Sequence, residues 1–78
     1  MTSWQQYLHA DHTILAGKPV VRGTRLSVDF LLELLANGWR EETILHEYPQ
    51  LTPEAMQAVF QFVAECMRDA AFYTRIAA

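Results

Sequence analysis

The sequence is poor in cysteine, glycine, proline and positive charge. Cys66 is its single cysteine, so no disulfide can close within the chain. A secreted domain this small would invite disulfide staples, so their absence fits a reducing compartment. Three glycines and three prolines leave few breakpoints and exclude low-complexity or collagen-like sequence. No apolar run approaches the ~20 residues that span a bilayer. The first eight residues lack the basic start and apolar run of a signal peptide. Together these absences predict a cytoplasmic protein with no membrane association. Six Lys and Arg face nine Asp and Glu, for a net charge of −3. Phosphate neutralisation supplies most non-specific nucleic-acid affinity, so the total charge argues mildly against DNA or RNA.

What remains is apolar. With 78 residues the chain is one domain with a thin core, yet 51% of it is hydrophobic. Part of that surface is expected to be covered by a second chain. The expected layout is a single domain over 1–78. Residues 1–26 form an N-terminal arm and β element, and 27–78 form a three-helix bundle with a long last helix. The arm carries Gly17-Lys18-Pro19, a turn signal, followed by β-branched Val20-Val21. Ile14-Leu15 and Val20-Val21 flank that turn and are expected to pair as a short hairpin.

Helix signals begin at Ser27, a good N-cap. Val28, Leu31, Leu32 and Leu35 follow at helical spacing, with Phe30 and Leu34 on a second face. Asn37-Gly38 supplies the stop. A second helix is expected from Glu41 to Tyr48, its two leading glutamates suited to the helix N-terminus. Trp39 and Ile44 stand as a hydrophobic staple around Arg40, itself a poor cap. Pro49 ends it. Thr52 then caps a third helix, with Pro53 at its first position and Leu51 and Met56 as a staple. Run to about Ile76, this helix would be roughly 35 Å long and overhang the other two. Either the N-terminal segment, whose Trp4 and Tyr7 need a surface, folds back over it or another protein covers it.

Three helices joined by short turns match the helix-turn-helix class. The third helix would be the reader, presenting Glu54, Gln57, Ala58 and Gln61, of which the glutamines suit adenine edges. The plain alternative is a solvated helix face. Lys18, Arg22 and Arg25 place half the cations in eight residues, next to two glycines whose backbone amides could help hold phosphate oxygens. Here too a structural role competes: Gly17 and Gly23 would adopt positive φ while Arg22 or Arg25 pairs with Asp29 or Glu33. Arg40 adds a cation before the second helix. Phe72, Tyr73 and Ile76 would meet a partner or a second subunit. His9, Asp11, His12 and His46 lack the ligand spacing of a zinc module, so neither metal nor cofactor is expected. Ser3, Ser27 and Cys66 have no base and orienting group in evident association, so no catalytic residue is expected and the chain reads as a non-enzyme.

Residues 14–51 resemble the domain-of-unknown-function 433 family. The likeness is carried by Gly17-Lys18-Pro19-Val20-Val21-Arg22-Gly23-Thr24-Arg25, then Val28, Leu35-Ala36-Asn37-Gly38 and Tyr48-Pro49-Gln50-Leu51-Thr52. It implies a homeodomain-like trihelical fold with a short β element, and a prokaryotic origin. It further implies a VapB-like antitoxin of a type II toxin–antitoxin system, a dimer that neutralises a PIN-like toxin and represses its own operon. Lys18, Arg22, Arg25, Arg40, Gln57 and Gln61 would then form the DNA-binding set. A protein-interaction or dimerisation module without nucleic-acid binding is the alternative.

Overall fold

The structure, a computed structural model, describes residues 3–11, 13 and 17–68. A 3₁₀ turn at Trp4–Gln6 leads into β1 (Leu8–His9), which pairs antiparallel with β2 (Val20–Val21). Three helices follow: α1 (Val28–Ala36), α2 (Glu41–Glu47) and α3 (Pro53–Arg68). The fold is mainly α, a three-helix helix-turn-helix bundle with a two-stranded N-terminal arm.

Local chemistry sets the helix ends. The Ser27 hydroxyl accepts the Phe30 amide at 2.9 Å, satisfying an otherwise orphan donor of α1. At the other end the Gly38 amide donates to the Leu35 carbonyl and the Trp39 amide to the Leu34 carbonyl. This is the paired closure of a Schellman motif, and Gly38 enters it at φ 92°. Arg40 caps α2 by backbone position alone, without a side-chain hydrogen bond. Thr52 caps α3, its hydroxyl accepting the Ala55 amide at 3.1 Å.

The core draws on every element. Leu31 of α1, Ile44 of α2, and Met56 and Val59 of α3 are fully buried. Leu8, Val21, Leu26, Val28, Leu51, Ala55 and Ala58 complete the same cluster. Leu32, Leu34 and Leu35 are half-buried against it, while Phe30 remains 39% exposed. The first helix therefore buries Val28 and Leu31 fully and the later leucines of the expected stripe only in part.

Two expectations are corrected. The partner of Val20–Val21 is Leu8–His9, in the register Leu8↔Val21 and His9↔Val20, and not Ile14-Leu15, which lies outside the described residues. Leu8 wins that place because its side chain enters the core on pairing. Ala58 does not point outward. It is 2% exposed, because Ala55, Ala58 and Phe62 recur at three- and four-residue spacing along the inner face of α3. The expected run of α3 beyond Arg68, with Phe72, Tyr73 and Ile76, lies outside the described residues.

Candidate functional site

The glycine-rich stretch 17–25 is built as a closed turn. Gly23 adopts φ 78°, and a Cβ there would meet nothing, so conformation and not space calls for glycine. The Thr24 hydroxyl donates to the Val21 carbonyl at 2.8 Å and accepts the Leu26 amide at 2.9 Å. The Val21 amide donates to the Leu26 carbonyl, and the Val28 amide to the Pro19 carbonyl. Val20 thus has His9 on one side and a bridge to Ser27 on the other. The structural role of this motif is plain: it welds the arm to the start of α1.

Two of the three cations around the turn, Lys18 and Arg22, have intramolecular partners. Lys18 Nζ lies 3.1 Å from Asp29 Oδ2, with both side chains more than half exposed. This corrects the expected pairing of Asp29 with Arg22 or Arg25. The Pro19–Val28 hydrogen bond brings residue 18 alongside the first turn of α1, where Asp29 stands. The Arg22 guanidinium donates to the Gln5 carbonyl from Nε and Nη2, at 3.4 and 3.3 Å. Arg25 is exposed. Arg40 sits 3.8 Å from Glu42, both side chains 81% exposed, and such a pair adds little. Glu33 and Gln57 are exposed and Gln61 is half-buried.

α2, the turn at 48–52 and α3 form the helix-turn-helix unit. Along the outer face of α3, Glu54, Gln57 and Gln61, with the buried Ala58 beneath them, line a shallow hollow of about 120 Å³. A larger open hollow of about 540 Å³ adjoins it, lined by Ser3, Trp4, Gln5, Gln61, Ala64, Glu65 and Arg68. There the 3₁₀ turn packs on α3: the Trp4 ring meets Phe62 edge-on at 4.9 Å, and its indole N–H donates to Glu65. In the sequence Trp4 is an apolar residue of the arm that needs a surface to cover; the structure supplies that surface on α3.

Exposed apolar side chains form a different surface. Phe60 and Met67 are 36% and 40% exposed and lie seven residues apart on α3, hence on one face. Phe30 packs edge-on against Tyr48 at 5.8 Å. Among the described residues no three His, Cys, Asp or Glu gather to hold a metal, and His12 lies outside them. Asp11 instead closes a local turn, accepting the Thr13 amide and hydroxyl, each at 2.8 Å. Those two hydrogen bonds hold its carboxyl below the usual aspartate value; the neighbouring His9 adds to the effect and slight desolvation opposes it. No helix among the described residues is long and apolar enough to cross a membrane.

Arm, bundle and outer α3 face together define a small trihelical helix-turn-helix domain. The family described as "Protein of unknown function (DUF433)" matches residues 9–63, and the chain belongs to it. A crystal structure of a DUF433 member protein from Anabaena variabilis ATCC 29413 superposes with a TM-score of 0.75. It is 23% identical, and the match covers 95% of this chain and 71% of that one. At that identity the likeness speaks for the fold. No curated protein matches the chain.

Proposed function

We propose that this protein is an antitoxin of a type II toxin–antitoxin pair, a dimeric helix-turn-helix domain that binds operator DNA and neutralises a PIN-like toxin. One observation carries the DNA-binding half. α2 and α3 are joined by a short turn, and α3 presents Gln57 and Gln61 on an outer polar face. That layout supports reading α3 as a recognition helix, whose first turns address base edges. Lys18, Arg22, Arg25 and Arg40 would supply phosphate contacts, each exchanging its present partner or solvent for a charge-assisted bond. The exposed Phe60 and Met67, with Phe72, Tyr73 and Ile76 beyond the described residues, would serve the toxin or the second subunit. The protein acts by binding and carries out no reaction.

The direct test is a titration against the DNA upstream of its own gene at two salt concentrations. Neutralising Arg22 and Arg25 should weaken binding to all sequences. It should also flatten the salt dependence, by roughly one unit of slope for each phosphate that is no longer neutralised. Changing Gln57 or Gln61 should alter sequence preference, by about 1–3 kcal/mol at the affected base pair. The toxin half is tested by co-purification with a nuclease encoded next to this gene.

A second reading is a protein-interaction or dimerisation module without nucleic-acid binding. It is favoured by the occupied cations, Lys18 on Asp29 and Arg22 on the Gln5 carbonyl, and by Glu54 and Glu65 on α3. No DNA binding at low salt, with or without the partner, would select it.

A further inference from the structure

We propose that the 3₁₀ turn Trp4–Gln6 is an autoinhibitory latch, closed over α3, that withholds Arg22 from nucleic acid. The proposal rests on the DNA-binding reading above. The latch is fixed at its Tyr7 end. At the fixed end, Leu8 pairs with Val21 and the Arg22 amide donates to the Tyr7 carbonyl at 2.7 Å. Beyond Tyr7, the attachments to the bundle are made by side chains: Trp4 against Phe62, the Trp4 indole on Glu65, and the Arg22 guanidinium on the Gln5 carbonyl. No residue of the 3₁₀ turn is buried.

One of the groups engaged by this turn, Arg22, belongs to the proposed DNA-binding set. Arg22 spends its guanidinium on a neutral carbonyl at 3.3–3.4 Å, the long end of hydrogen-bond geometry. A phosphate offers the same group a shorter, charge-assisted and bidentate partner. Gln61 is not withheld in this way: it lines the open hollow beside Ser3, Trp4 and Gln5 and also the shallow one beside Glu54 and Gln57. Swinging residues 3–6 away about Tyr7 frees Arg22 and keeps the β1–β2 pairing, at the cost of uncovering Phe62 and the part of the core on which Trp4 packs. Bound DNA and the closed turn therefore compete for Arg22, and the closed turn sets the affinity the domain shows at rest.

Trp4→Phe tests this without changing charge. It removes the indole donor to Glu65 and keeps a ring against Phe62. Removing one such hydrogen bond should raise DNA affinity about threefold to tenfold, and the gain should vanish in an Arg22→Ala background. A second measurement needs no change in the latch. In Trp39→Phe protein the remaining tryptophan is Trp4, and its emission should shift to the red when DNA is added, as the ring leaves Phe62. Equal affinities for wild type and Trp4→Phe, together with an unchanged Trp4 emission on DNA binding, overturn the latch and leave the DNA reading standing. Binding by Trp4→Phe where the wild type is silent supports both. Silence of both proteins at the lowest salt removes the DNA reading and the latch with it.

Discussion

Among the described residues Ser27 is the buried polar side chain of the core, and its environment explains why it is tolerated. The hydroxyl accepts the Phe30 amide, while the backbone bridges to Val20. Ser27→Ala should cost about 1 kcal/mol, seen as a lower urea midpoint at unchanged slope. Ser27→Asp or Asn keeps an acceptor for the capped amide but must place a larger polar group in the same buried site. Asp11 gives a pH signature of its own. Its folded carboxyl titrates below the unfolded value of 3.8, chiefly because the Thr13 amide and hydroxyl stabilise the charged form. A depressed carboxylate contributes stability above the unfolded value and loses it as pH falls through the folded one. The side-chain resonance of Asp11 should therefore titrate below 3.8, and Thr13→Ala, which keeps the amide and removes the hydroxyl, should raise that midpoint partway.

At the scale of elements, α2 is the least self-sufficient part. Seven residues are too few to hold a helix in water, and Ile44 is its fully buried anchor. Ile44→Ala should cost about 2–5 kcal/mol and lower the single melting transition of the whole bundle, as followed by circular dichroism. The helix boundaries were legible because their signals are local. Ser27, Asn37-Gly38 and Thr52-Pro53 act within a turn of themselves, and each element starts or stops where they stand. The strand pairing was not legible. Two-residue strands show no alternation, and Leu8 and Val21 are joined across a segment that offered the nearer Ile14-Leu15. Ala58 was misplaced for a related reason: alanine suits either face of a helix, so only packing decides its side. Of the candidate site, the helix-turn-helix layout was legible and the partners of the cations were not. Lys18 meets Asp29 through a backbone bond between Pro19 and Val28 that no spacing rule announces.

For the molecule as a whole, charge and apolar surface point different ways. From Asp29 onward, acidic residues outnumber basic ones, and three of the four cations of the proposed site lie before α1. Any DNA complex should accordingly be steeply salt-sensitive, and Glu54→Gln on α3 should strengthen it by removing a charge repelled by phosphate. The apolar face of α3 is expected to close a homodimer, since isologous contact is the commonest way to cover such a surface. Sedimentation should show a dimer at micromolar concentration, reverting to monomer when Phe60 and Met67 are both changed to serine. The welded turn at 19–28 has a further consequence for how the fold opens. Its amides on Val21, Leu26 and Val28 point into hydrogen bonds beneath a fully buried Val20. Their exchange with heavy water should be governed by global opening and not by local fraying. A segment that reads as loop by composition would then be among the last to take up deuterium, slower than the exposed turns of α2.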